Sequence, residues 1–188
     1  MQARVRTPAA LVAALALAGC ASMSKEDCLA GNWYAQGFED ADGGRTFDRL
    51  DAHAKACAKV GAVPDEAVYG RGYEAGLVDY CTPERGYRLG EADGEYRDIC
   101  PFETEPAFLG RYVDGLESAL VDREIEAARA EARLERAVAA RASLRPGLPT
   151  KKADAEVDAA RGELDRLRSD RFGIRQKIRR WTAELSAL

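Results

Sequence analysis

The feature that most limits the fold is a pair of apolar stripes in the C-terminal half. Leu109, Val113, Leu116, Leu120, Ala127, Ala130, Leu134, Ala137 and Leu144 recur at steps of three and four, with Arg123 and Arg141 filling two places. Val157, Ala160, Leu164, Leu167, Ile174, Ile178, Trp181, Leu185 and Leu188 repeat the pattern, with Arg171 in one place. Such spacing keeps one helix face apolar over many turns. Between the stripes, Arg145-Pro146-Gly147-Leu148-Pro149 breaks the helix and Thr150 restarts it as an N-cap. Two stripes and a turn near 145–149 predict an antiparallel coiled-coil hairpin over 105–188.

Folding about Gly147 pairs the layers. Leu134 meets Ala160, Ala130 meets Leu164, Ala127 meets Leu167, Leu116 meets Ile178, and Val113 meets Trp181. Small opposite large is how close helices share volume. Arg123 then faces Arg171. Either both snorkel to the edge of the seam and meet Glu124, Glu126 or Asp170, or an anion or partner carboxylate docks between them. A return helix of about 38 residues would reach roughly 57 Å.

Residues 20–104 have a different composition. Trp33 and nearly all the tyrosines and phenylalanines lie between Asp27 and Tyr112, together with four cysteines and most of the glycines. Turn and cap signals predict a small head of short helices. Ser24 with Asp27 starts the first, and Gly43-Gly44 stops it. The second runs from about Phe47 to Val60 and is closed by Gly61. Pro64-Asp65 opens a third, through Tyr80 and Cys81. Thr82-Pro83 is cap and first-turn proline for a fourth. Gly72 and Gly76, then Gly86, Gly90 and Gly94, recur every four residues. They form either a smooth face for close helix approach or, around Gly90–Gly94, a loop. Tyr69-Gly70-Arg71-Gly72 and Tyr87-Arg88-Leu89-Gly90 hint at a degenerate repeat.

The N-terminus sets the compartment. Arg4 and Arg6 precede an apolar run, Ala9 to Ala18, too short to span a bilayer, and small residues follow it. Residues 1–19 therefore read as a secretory signal. Leu17-Ala18-Gly19-Cys20 resembles the lipobox of bacterial lipoproteins, which implies cleavage before Cys20 and lipids on its thiol and new amine. Several acyl chains anchor stably where one does not. Ala21 at the next position, in place of Asp, favours the outer membrane by the same resemblance. Cys28, Cys57, Cys81 and Cys100 remain, an even number that in an exported chain reads as two disulfides. Of three pairings, Cys28–Cys57 with Cys81–Cys100 is favoured because each clips neighbouring helices; each closure is worth about 3 kcal/mol on the chain-entropy model.

The ordered series Cys28…Trp33-Tyr34…Gly37…Asp40, Arg49…His53…Cys57, Pro64-Asp65…Tyr69…Gly72…Gly76-Leu77…Tyr80-Cys81, Gly86…Gly90, Tyr96…Cys100-Pro101 resembles the DUF2799-type family of uncharacterised proteobacterial lipoproteins. The resemblance spans Ser24 to Gly115 and implies a periplasm-facing lipoprotein, with no activity attached. The hairpin extends beyond it.

Catalytic signatures are sparse. His53 is the only histidine, four residues before Cys57 on one helical face. Zinc ligation would need a second such pair, so packing or a hydrogen bond beside a disulfide is the simpler role. One histidine leaves little room for triad chemistry, and no phosphate loop is present. Trp33, Tyr34 and Phe38 could stack on sugar rings or form the core. Net charge is −4, and −6 once Arg4 and Arg6 leave with the signal, which speaks against a nucleic-acid partner. The expectation is an all-α, cofactor-free, non-enzymatic envelope lipoprotein: a disulfide-stapled head, a membrane anchored through its lipid, and a hairpin that meets an envelope protein. The alternative is a head that binds or weakly hydrolyses peptidoglycan or another envelope ligand.

Overall fold

The computed structural model describes residues 22–147 and 149–188; the signal, Cys20 and Leu148 lie outside them. The described residues form seven α-helices and a 3₁₀ turn, with no strand among them: α1 Lys25–Ala30, α2 Trp33–Asp42, α3 Arg49–Cys57 with the 3₁₀ turn Ala58–Val60, α4 Glu66–Tyr80, α5 Pro83–Glu91, α6 Glu105–Ala142 and α7 Lys151–Leu185. The fold is all-α.

Most boundaries follow from caps. Ser24 accepts from the amide of Asp27, Asp65 from Val68 and Thr82 from Arg85. Gly61 closes the second helical stretch at φ +73°. One expectation fails: Ser24 to Gly43 is two helices. Gly31 ends α1 at φ +65°, and the Asn32 side chain caps Ala35 to start α2 afresh. A left-handed glycine followed by an Asn cap satisfies end groups that an unbroken helix would not expose. Helix α3 also begins two residues later than Phe47, whose ring packs edge-on against Tyr69 and Tyr73.

The head consists of two glycine-seamed helix pairs. In the first, a Cβ on Gly37 of α2 would lie 2.1 Å from the Tyr69 carbonyl oxygen and 2.9 Å from the Tyr73 nitrogen of α4. A Cβ on Gly72 would lie 1.9 Å from the Tyr34 oxygen. In the second, a Cβ on Gly90 of α5 would lie 2.1 Å from the Tyr112 oxygen and 2.8 Å from the Leu116 nitrogen of α6. One on Gly115 would lie 2.2 Å from the Tyr87 oxygen. These contacts are backbone on backbone, so only glycine fits. Gly94 falls in the loop after α5, where its amide bonds the Leu89 carbonyl.

The two pairs are one unit used twice. Cys28-x5-Tyr34-x2-Gly37 in the first half has the same spacing as Cys81-x5-Tyr87-x2-Gly90 in the second. Cys57-x11-Tyr69-x2-Gly72 matches Cys100-x11-Tyr112-x2-Gly115. Cys28 is bonded to Cys57 and Cys81 to Cys100, the same matched positions, across separations of 29 and 19 residues. The second half is thus ten residues shorter between its two cysteines (29 − 19).

Helix α6 serves both head and arm. Its early turns bury Phe108, Leu109, Tyr112, Val113 and Leu116, and α7 returns to cover them with Ile174 and Trp181. Farther out, Ala127 and Ala130 pack on Leu164, flanked by Leu134 and Leu167, in the small-on-large register. Arg133–Glu163, Arg141–Asp154, Arg168–Glu131 and Arg175–Glu124 pair across the hairpin in the same register. Helix α7 has 35 residues, about 53 Å, ending at Leu185. Leu185 packs against the head's core, whereas Leu188 is 43% exposed.

Candidate functional site

Helical spacing on α3 puts Leu50, His53 and Cys57 on one buried face. On α2 it does the same for Gly37, Asp40 and Ala41. Where these faces meet, His53 Nε2 lies 2.7 Å from Asp40 Oδ2. The Tyr69 hydroxyl of α4 donates to the same oxygen at 2.9 Å, and the Gln36 amide reaches it at 3.4 Å. A carboxylate only accepts, so Nε2 carries the proton, and Nδ1 faces the Ser22 hydroxyl at 2.9 Å. Asp40 is 8% and His53 1% exposed. Burial, and then the Asp40 carboxylate beside it, push the Tyr69 phenol far above its usual pKa, so it stays a donor. Burial lifts Tyr73 to about 12, and its hydroxyl donates to the Arg45 carbonyl at 2.6 Å.

Ser22, His53 and Asp40 have the hydroxyl–imidazole–carboxylate connectivity of a nucleophile triad, which the lone histidine gave no reason to expect. Here the acceptor oxygen is shared with Tyr69 and Gln36, and the imidazole is sealed. The arrangement suits a clamp: it fixes Ser22, while Met23, 7% exposed, packs with Sδ 4.0 Å from Cys57 Sγ. The chain leaving Cys20 is therefore seated on α3 within two residues. A buried polar group that loses its hydrogen-bond partner is left unsatisfied, so the clamp persists only as a unit.

The other sequence candidates are dispersed. Cys57 is in a disulfide, and no group of three or more His, Cys, Asp or Glu among the described residues could hold a metal. Trp33 is core at 6% exposed; Tyr34 is 46% exposed but its neighbour Phe38 is half-buried, so the three do not form a stacking platform. Glu39, Asp79, Glu84 and Glu91 are exposed, and among the described residues Asp40 is the one buried acid. On the arm, Arg123 bonds Glu126 at 2.7 Å and Arg171 lies 3.6 Å from Glu124. Both seam cations thus meet the acids beside them, with Arg171 Nε left buried and unbonded among the described residues. Among the described residues no helix is long and apolar enough to cross a membrane.

Sequence reasoning missed the clamp because its members lie on separate elements. The one available signal was Asp40, an acid on the glycine face of α2. No curated protein and no solved structure matches the chain. Residues 32–117, which carry both glycine-seamed pairs, match the family described as "Protein of unknown function (DUF2799)".

Proposed function

We propose that this is a non-enzymatic lipoprotein of the cell envelope, anchored through Cys20 in the outer membrane and facing the periplasm, whose hairpin is an interaction device. The carrying observation is a set of apolar side chains exposed midway along an otherwise charged arm: Val121 at 55%, Ile125 at 45% and Phe172 at 63%. They flank the Glu124–Arg171 and Glu124–Arg175 pairs, Val121 and Ile125 on α6 and Phe172 on α7. Exposed apolar groups inside a polar surround mark contact sites. The clamp on Ser22 supports the anchoring, because it seats the chain on the head only two residues after Cys20 in sequence.

A photocrosslinking residue at position 172, used in living cells, tests the reading. The expected result is one envelope protein captured from 172 but not from 136, with capture lost on Ile125→Glu. The N-terminal peptide from the same preparation should carry acyl chains on Cys20. No adduct at 172, or an adduct indifferent to Ile125→Glu, sinks the interaction reading; an unacylated terminus sinks the anchor.

A further inference from the structure

At the junction of the two halves, the turn after α2 faces α5 across a hollow of about 450 Å³, lined by Arg45, Arg85, Arg88 and Arg97 over Gly44 and Tyr80. A second hollow of about 270 Å³ shares Arg45 and Arg97 and adds Arg49. Five guanidinium groups from both halves converge here, against one carboxylate in each hollow, Glu95 in the first and Asp48 in the second, in a chain of net charge −4.

Two of them are held in place by backbone. Arg85 donates to the Asp42 carbonyl at 2.7 Å and Arg97 to the Gly44 carbonyl at 2.9 Å. Their contacts with carboxylates are looser, 3.6 Å to Asp42 and 3.8 Å to Glu95. Among the described residues Arg45, Arg49 and Arg88 enter no ion pair with Asp or Glu, and Arg49 Nε is buried without a hydrogen-bond partner. Five cations against two lining carboxylates leave an excess of like charge, and a bound anion relieves its repulsion. Guanidinium forks fit tetrahedral phosphate oxygens two at a time.

We propose that this groove is a binding site for a phosphate-bearing ligand, with one phosphate in each hollow and Arg45 and Arg97 shared between them. Two sources supply that chemistry. One is the headgroup of an anionic lipid, which the seating of Ser22 on His53, one helical turn from Arg49, would bring close. The other is a soluble diphosphate. The lipid source rests on the anchor at Cys20; the groove itself does not.

The full chain, purified in neutral detergent, is titrated calorimetrically with inorganic pyrophosphate, dihexanoylphosphatidylglycerol, dihexanoylphosphatidylcholine and citrate. Saturable binding is expected for pyrophosphate or for the glycerol lipid. Binding of the first alone identifies a soluble ligand, and of the second alone a headgroup. Arg45→Gln with Arg88→Gln should weaken it roughly 100-fold, about tenfold for each charged contact removed. Both side chains are exposed, so the melting temperature should hold, and Arg88→Gln alone should lose roughly tenfold. Arg133→Gln with Arg136→Gln on the arm should change nothing. The proposal is overturned if neither phosphate probe saturates, if citrate or the choline lipid binds as tightly, or if the arm variant loses as much as the groove variant.

Discussion

The two halves of the head share a glycine seam and differ in how the seam is roofed. In the first, the roof comes from the half's own loop. Phe47 sits 5.4 Å from Tyr69 and 5.2 Å from Tyr73, and His53 lies 6.3 Å from Tyr69. In the second, that loop is cut short, and Trp181 arrives from the far end of the chain to sit 5.1 Å from Tyr96 and 6.2 Å from Tyr112. His53 and Tyr96 stand four residues before matching cysteines, and Tyr96 lies 6.0 Å from Tyr112, close to the 6.3 Å between His53 and Tyr69. Asp40 and Asp93 match as well. The first is buried under His53, whereas the second is 34% exposed and meets Lys177 Nζ at 2.6 Å. A two-helix seam buries one face only, so each copy needs a third element. One copy keeps it locally; the other takes it from α7, which makes the hairpin part of the head.

The largest test strikes the element the halves share. Gly72→Val and Gly115→Val should each cost about 5 kcal/mol or more, enough to remove most folded protein. A Cβ at 1.9 Å or 2.2 Å from a carbonyl oxygen can be relieved only by moving a helix, not by turning a side chain. Equal loss of helical signal in urea titrations supports a common seam. A mild effect at either position breaks the equivalence.

A smaller effect separates the halves. Trp181→Ala should cost about 3–5 kcal/mol, typical of a large core aromatic removed. Its damage should be local, with α5 and the first turns of α6 losing amide protection in hydrogen exchange while α2 and α4 keep theirs. His53→Ala should give the reverse map. If Trp181→Ala opens α2 and α4 equally, the halves are one cooperative unit and the borrowed roof has no separate meaning.

Helix caps and the hairpin register were legible because both are local: a cap needs four residues, and a stripe repeats its own signal. The duplication was hidden by a change of offset. The likeness of Tyr69–Gly72 to Tyr87–Gly90 is a false register, joining the second helix of one pair to the first helix of the other. True equivalents lie 53 positions apart before the shortened loop and 43 after it. The break at Gly31-Asn32 was present as a glycine and a capping residue, masked by the stronger stop at Gly43-Gly44. Neither the clamp nor the arginine groove carries a periodicity. Ser22, Asp40, His53 and Tyr69 lie on four segments; the α2–α4 seam brings Tyr69 to Asp40 Oδ2, and the packing of α3 brings His53 to the same oxygen.

The finest difference between the halves is their response to pH. In the second half the Tyr96 hydroxyl donates to Glu105 Oε1 at 2.8 Å and accepts from the Cys100 amide at 3.1 Å. The position matching Glu105 in the first half is Ala62, which has no carboxyl. Burial raises the Glu105 pKa; the Tyr96 bond opposes the rise and neighbouring Asp98 adds to it. An acid whose folded value lies above its unfolded value binds its proton more tightly when folded. Its contribution is therefore full below the unfolded value and lost as pH climbs through the folded one. Glu105→Gln keeps an acceptor for Tyr96 and cannot ionise. Relative to wild type, its melting temperature should rise as pH is taken from about 4 to about 7 across the carboxyl range. The gain should appear in the exchange rates of α5 and α6 and not in those of α2 and α4. A melting-temperature difference that stays flat across that range would show that Glu105 ionises in the fold as it does in the open chain, and that the halves close alike with respect to protons.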